Sequence, residues 1–197
     1  HRMTQPMQIL PPRRSKQRTR VLLVAAVVLG ILNSIAYHSA AIVGWIPHMQ
    51  VTDNQLVGVL LGSDLLLGLL ALSLVPAAIA HDTEELKEDS YIGPPSALVA
   101  GLVVITVWQV APLAMAAGAI VIISISSRVS ASWTVPAVCA SILSALISEL
   151  AFQPMQTDIS WGTIGMTTLI TLLLAALGTV RGRRLRSLRG PPGGSDG

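Results

Sequence analysis

Long apolar runs separated by short polar segments dominate the chain. The runs cover residues 21–45, 55–80, 94–127, 131–152 and 161–180. A helix needs about 20 residues to cross roughly 30 Å of hydrocarbon, and all of these runs except the third have the length of one span. The pattern predicts an all-α, polytopic transmembrane helix bundle.

The third run is too long to be one straight span. Its 34 residues would reach about 51 Å at roughly 1.5 Å per residue. Pro112 lies near its middle, where a proline breaks or kinks a helix. Two short helices, about 94–109 and 111–127, would each reach about 25 Å, which a locally thinned bilayer can match. We therefore predict six helices, with the third and fourth short and a helix break at Pro112.

Composition supports the membrane assignment. The 197-residue chain is 52% hydrophobic and 12% charged, and its mean hydropathy is +0.66. Soluble domains carry about 25% charged residues, so this chain has too few charges to cover a water-facing surface. The single cysteine, Cys139, rules out an internal disulfide and a multi-cysteine zinc site.

Basic residues collect at the two ends of the apolar region. Eleven of the thirteen Lys and Arg residues lie there, and only Lys87 and Arg128 lie between. Such flanking residues are retained on the cytoplasmic side, so both termini are predicted to be cytoplasmic. An even number of spans follows, which selects six over five. The basic residues that set this topology include Arg13, Arg14, Lys16, Arg18, Arg20, Arg181, Arg183, Arg184, Arg186 and Arg189.

Three segments follow from these patterns. Residues 1–20 form a basic cytoplasmic segment, 21–180 the bundle, and 181–197 a basic juxtamembrane segment with a flexible, Gly/Pro-rich tail. We expect a multi-pass protein of the cell membrane. The first run also has the features of a signal peptide, but its apolar character continues to Trp45 and cleavage would make the span count odd. We therefore expect it to be retained.

Four polar residues within the apolar runs are the candidate functional residues. An acid at the bilayer centre costs about 2.5–3.5 kcal/mol, so acids there normally face the bundle interior and mark ligand, ion or proton sites. Asp64 lies deep in the second run, whereas Glu149 is near the end of the fifth and could reach the interface. Asn33 and His38 interrupt the first run, and His38 could sense protons near its outer end. A structural hydrogen bond between helices is the alternative for each.

Small residues mark two places where helices could pack closely. Gly58 and Gly62 form a GxxxG pattern in the second span, a spacing that permits close helix approach. A stripe of small residues on the fifth span is also expected to serve helix packing. Its members are Ser141, Ser144, Ala145 and Ser148.

No motif in the chain carries chemistry by itself. It contains no GxxxxGK[ST], GxGxxG, HExxH, CxxC or GxSxG pattern. We predict no catalytic residue, no metal and no cofactor, and hence no enzyme in this chain. The sequence pI of 9.6 would suit nucleic acid, but the basic residues flank the spans. The lipid bilayer is therefore the expected partner.

Residues 95–189 show a particular order of features. Ala111-Pro112-Leu113-Ala114 leads through Ser126-Ser127-Arg128 to a span from Ala131, and the exit from Leu177 to Arg186 is rich in arginine. This order resembles the membrane-embedded N-terminal sensor region of actinobacterial histidine kinases. In that family, an arginine-rich juxtamembrane segment leads from the last span into the dimerisation helix.

The resemblance implies a sensory input module of a two-component system. The phosphoacceptor histidine and ATP-binding segments would follow the basic exit, and no histidine here can be assigned the phosphoacceptor role. A homodimer through the last span and a cytoplasmic signalling partner would follow. Two alternatives stay open. One is a solute-binding membrane transport subunit with a separate ATPase partner, and the other is a membrane assembly factor without a ligand.

Overall fold

Six α-helices make up the computed structural model, which describes residues 13–45, 54–79, 95–151 and 160–187. A 3₁₀ turn, Pro112–Ala114, separates the third helix from the fourth. The prediction of an all-α bundle is confirmed, including the two short helices and the break at Pro112. The helices are α1 (Arg13–Val43), α2 (Asn54–Ala78), α3 (Pro95–Trp108), α4 (Met115–Ser126), α5 (Ala131–Ala151) and α6 (Trp161–Ser187).

Four of these helices are long and apolar enough to cross a membrane. Less than a third of the residues in each apolar stretch are buried inside the bundle, and Leu66 and Leu173 are 72% and 62% exposed. Apolar surfaces of this extent are unfavourable in contact with water and suit contact with lipid. These are therefore the helices of an integral membrane protein. The four stretches are Gln17–Val43, Val57–Ala78, Ala131–Ala151 and Trp161–Leu185.

The basic ends are helical extensions of the first and last spans. Helix α1 begins at Arg13 and α6 continues to Ser187, so both basic stretches prolong a span without a change of direction. Arg189 lies outside the described residues, as do residues 1–12. The side chains whose exposure the structure describes all face outward: Arg18, Arg20, Arg181, Arg183 and Arg184.

Helices α3 and α4 form a short hairpin. With 14 and 12 residues, they reach about 21 Å and 18 Å, less than the roughly 30 Å of a hydrocarbon core. Two glycines let the arms pack closely. A Cβ at Gly101 would lie 2.7 Å from Ile125 Cδ1, and one at Gly118 would overlap Trp108. Residues 109–114, which join the arms, are called the tip below.

The tip lies against the middle of α1 and α2. A Cβ at Gly30 would overlap the Leu113 carbonyl oxygen, and one at Gly68 would lie 2.5 Å from Leu113 Cβ. Both glycines stand near the centres of their apolar stretches. The sequence predicted two short helices that each cross the membrane. In the structure, the tip that joins them meets α1 and α2 near the middle of their apolar stretches.

The expected packing residues have two different outcomes. Among the described residues, no atom lies within 4 Å of a Cβ built at Gly58 or Gly62, so the predicted GxxxG contact is not found inside this bundle. The stripe on α5 does face inward, with Ser148 half-buried. Its buried members are Ser141, Ser144 and Ala145.

Candidate functional site

One buried carboxylate holds the tip of the hairpin. Asp64, on α2, is 3% exposed, and both of its oxygens accept hydrogen bonds. The Leu113 N–H donates to Oδ1 at 2.8 Å, His38 Nε2 lies 2.6 Å from Oδ2, and the Ser34 hydroxyl donates to Oδ2. This carboxylate therefore connects α1, α2 and the tip at a single point.

Proline explains why the tip needs these partners. Pro112 has no N–H and interrupts the helix, which leaves backbone groups on either side without an intrahelical bond. Asp64 accepts the Leu113 N–H, and Asn33 Nδ2 donates to the Pro112 carbonyl at 2.9 Å. Unpaired backbone groups are costly at membrane depth, so these two side chains stabilise a break that lipid could not solvate.

One end of α1 supplies most of the polar side chains around Asp64. Ser34 and His38 are four residues apart and share a face of the helix. Tyr37 contacts the His38 ring edge-on, with centroids 5.6 Å apart, and interacts electrostatically with both Asp64 and Glu149. His38 is 6% exposed. Its Nδ1 is buried and has no hydrogen-bond partner among the described residues.

Three of the four predicted candidates meet at this point, namely Asn33, His38 and Asp64. Two further participants were not predicted. Ser34 carries little signal, because serines in apolar helices commonly bond to their own backbone. Leu113 takes part through its main chain, and its side-chain type says nothing about that role.

Glu149, on α5, is a second buried acid. It is 3% exposed, so its side chain is buried among the helices. Its Oε2 accepts the Ser160 N–H at 3.1 Å, and the Ser160 hydroxyl accepts the Thr163 N–H at 3.3 Å. Because Ser160 caps the start of α6, Glu149 ties the end of α5 to the beginning of α6.

Hydroxyl groups connect the hairpin to α5 and α6. Trp108 Nε1 donates to Ser141 Oγ at 3.0 Å, and Ser141 Oγ lies 2.6 Å from Thr171 Oγ1. At the tip, the Gln109 N–H donates to Ser144 Oγ at 3.1 Å. Two members of the predicted packing stripe are thus hydrogen-bonding partners as well.

At its other end, the hairpin meets α2 and α5 through a buried arginine. Arg128, in the turn after α4, is 1% exposed, and its Nη2 donates to the Ala78 carbonyl at 3.4 Å. The guanidinium also lies over the Trp133 ring, 4.4 Å from its centroid, as in a cation–π contact. The positive charge of Arg128 therefore offsets the partial negative charge at the C-terminal, carbonyl end of α2. From the sequence alone, Arg128 stood out only as one of two basic residues between the basic ends.

Helix α6 lies close against the end of α4 and the turn after it. A Cβ at Gly178 would lie 2.6 Å from the Ile123 carbonyl oxygen, and one at Gly182 would overlap the Ser127 carbonyl oxygen. In the same turn, Val129 has φ of 54°, which is unusual for a β-branched residue. Gly178 and Gly182 have the GxxxG spacing that the sequence also shows at Gly58 and Gly62, and here the spacing does serve close packing.

Among the residues that the structure describes, no group of three or more His, Cys, Asp or Glu side chains could hold a metal ion. The His38–Asp64 pair, at 2.6 Å, is the arrangement in which a proton can be held between an imidazole and a carboxylate. No protein family, curated protein or solved structure matches this chain.

Proposed function

We propose that this integral membrane protein is a sensory input module, in which the packing at Asp64 determines the position of α6. The observation that carries the proposal is the set of three hydrogen bonds by which Asp64 joins α1, α2 and the tip. A change in the charge or partners of this carboxylate alters what holds the tip in place.

The hairpin provides the route from Asp64 to α6. Its return arm, α4, begins at the tip and ends where Gly178 and Gly182 of α6 approach Ile123 and Ser127. Helix α6 continues past this contact into the exposed arginines. A displaced tip would shift α4, and α4 would shift the exit of α6. Coupling between two packed states typically amounts to about 1–3 kcal/mol, which is roughly a 5- to 150-fold change in their ratio.

The charge distribution supports an orientation for this module. Four long helices cross the membrane, and the α3–α4 hairpin enters and leaves on one side. Four crossings place the beginning of α1 and the end of α6 on the same side of the membrane, as six would. The exposed arginines at both ends suit the cytoplasm, and the hairpin then enters from the cytoplasmic side of the cell membrane.

Two of the expected partners belong to this proposal. A cytoplasmic signalling protein or segment would read the position of α6. A second copy would pair through the exposed leucines of the same helix, as sensor dimerisation requires. Leu169, Leu173 and Leu177 form that exposed row.

The bonding at Asp64 favours sensing over solute capture. Both carboxylate oxygens are already bonded to donors from the protein, whereas a solute-binding transport subunit needs side chains that are free to contact the solute. In an assembly factor without a ligand, Asp64 would serve only to bond the backbone at the tip.

A chimaera tests this proposal. Residues 1–187 are joined to the dimerisation and catalytic part of a histidine kinase. Three chimaeras are made whose joints differ by one residue, because we expect the basal kinase rate to depend on the rotation of α6. We expect Asp64→Asn to change the autophosphorylation rate by about tenfold, while Ser73→Ala leaves it unchanged. Ser73 is a matched control, since its exposed hydroxyl bonds only to the Leu70 carbonyl of its own helix.

Equal rates for Asp64→Asn and the unsubstituted chimaera at all three joints would rule out the sensor role. Loss of solute uptake by whole cells, together with an unchanged kinase rate, would instead support the transport subunit.

A further inference from the structure

We propose that the ligand of this site is a proton, which binds at Nδ1 of His38 and turns the His38–Asp64 contact into an ion pair. This inference deepens the proposed function and rests on it, because it names the stimulus that the Asp64 cluster reads.

The two nitrogens of His38 have different surroundings. Nε2 lies 2.6 Å from Asp64 Oδ2, and an ionised carboxylate only accepts hydrogen bonds, so Nε2 carries the hydrogen in the deprotonated site. Nδ1 is then the basic nitrogen. It is buried and has no hydrogen-bond partner among the described residues, so its lone pair is available to a proton.

Few titratable groups lie on the elements packed against His38. Tyr37, on α1, contacts the His38 ring and also interacts with the carboxylate of Glu149 on α5. The sequences of α3 and α4 contain no titratable residue, and the titratable residue of α2 is Asp64. The basic residues of α6 lie in its last turns, at the end away from Ser160 and Glu149. No lysine or arginine of the described helices therefore faces His38.

A proton fits the site better than a metal cation or an anion does. The neighbours of Asp64 bond to it as donors, through the Leu113 N–H, the Ser34 hydroxyl and His38 Nε2. A metal cation would have to displace them and find further oxygen ligands. An anion would be repelled by the carboxylate. A proton needs no displacement, because it adds to the opposite side of the imidazole ring.

Proton uptake changes the charge of the pair and breaks no covalent bond. Before uptake, neutral His38 and ionised Asp64 carry one negative charge together. After uptake at Nδ1, imidazolium and carboxylate sum to zero. The carboxylate then interacts most strongly with His38, and its hydrogen bond with the Leu113 N–H weakens. The proton thereby loosens the tip from α2, which is the displacement that the proposed function requires.

The distance from one end of the bundle to His38 is short for an entering proton. His38 is five residues from the end of α1 at Val43, a rise of about 8 Å along the helix. Under the proposed orientation, that end faces the outside of the cell, so the site would respond to external pH.

The test is a nitrogen NMR titration of the full chain in lipid nanodiscs. His1, His48 and His81, which lie outside the described residues, are replaced by Gln so that ¹⁵N-histidine reports on His38 alone. We expect the Nδ1 resonance to move from the unprotonated to the protonated position as the pH is lowered. The Leu113 amide resonance should move in step with it.

Asp64→Asn separates the proton site from its readout. The amide keeps the shape of the side chain but carries no charge, so the Leu113 amide resonance should no longer follow the protonation of His38. Constant positions of Nδ1 and Leu113 over the whole pH range would overturn the proposal. So would movement with the sodium concentration at fixed pH, which would identify a metal cation instead.

These outcomes are distinct from those of the chimaera. A kinase rate that responds to Asp64→Asn, combined with an Nδ1 that does not titrate, rejects the proton and retains the input module. An Nδ1 that titrates, combined with an unresponsive kinase rate, does the reverse.

Discussion

Replacing Asp64 with leucine is expected to lower the free energy of unfolding by about 2–4 kcal/mol. Leucine branches at Cγ like aspartate and fills a similar shape, but it accepts no hydrogen bond. The Leu113 N–H, the Ser34 hydroxyl and His38 Nε2 would then lose their acceptor. A buried group left unpaired costs about 1–3 kcal/mol. Hydrogen bonds between membrane helices contribute less, about 0.6 kcal/mol on average, so the loss of three partners is expected to total about 2–4 kcal/mol. Reversible unfolding in bicelles measures the difference.

Ser73→Ala on the same helix serves as the control for this measurement. Its hydroxyl is exposed and bonds only to the Leu70 carbonyl, so the change should stay within about 0.5 kcal/mol. A loss for Asp64→Leu no larger than that of Ser73→Ala would show that the carboxylate does not hold the tip.

Replacing Gly182 with alanine is expected to separate α6 from the turn after α4. The added Cβ would overlap the Ser127 carbonyl oxygen, which is backbone and cannot move aside as a flexible side chain does. Overpacking of this kind typically costs about 1–3 kcal/mol. We also expect the chimaera with Gly182→Ala to lose its response to Asp64→Asn, because the path from the tip to α6 is interrupted. Unfolding in bicelles and the autophosphorylation rate measure the two effects.

Glycines elsewhere in the same helix provide the control. No described atom lies within 4 Å of a Cβ built at Gly162 or Gly165, so alanine there should be neutral or slightly stabilising, since it favours the helix. If Gly182→Ala behaves like Gly165→Ala in stability and in coupling, then the close approach of α6 to the turn plays no part in transmission.

Much of the fold follows from the length of the apolar runs and from one proline. Helix boundaries could be predicted because membrane spans need a nearly fixed number of apolar residues. The break at Pro112 followed from a run too long for one span and from the missing N–H of proline. The depth of the tip did not follow, because a local pattern does not say which neighbours will solvate the freed backbone groups.

The candidate site could be predicted only in part. Asn33, His38 and Asp64 stand out as polar residues in apolar helices, which is enough to mark them as inward-facing. Their meeting at one point depends on how α1 and α2 are rotated against the hairpin. The Leu113 amide has no sequence signal at all, since every residue except proline carries the same backbone donor.

The two GxxxG patterns show the limit of spacing as a signal. Gly58 and Gly62 face away from the described bundle, whereas Gly178 and Gly182 meet the backbone of α4 and the following turn. The spacing places two glycines on one side of a helix in both cases. Which side meets a neighbour is decided by the rest of the helix, and α2 turns the side with Asp64 inward.

If the state of Asp64 determines the position of α6, the distance between α1 and α6 depends on the charge of Asp64. Spin-labelled cysteines replace the exposed Arg20 and Arg184 in a Cys139→Ala background. Double electron–electron resonance in nanodiscs then gives the distance between α1 and α6. We predict that Asp64→Asn shifts the mean distance by about 1–2 Å, the size of typical helix displacements in switching proteins, and that Ser73→Ala does not. Superimposable distance distributions for Asp64→Asn and the unsubstituted protein would show that the position of α6 does not depend on Asp64.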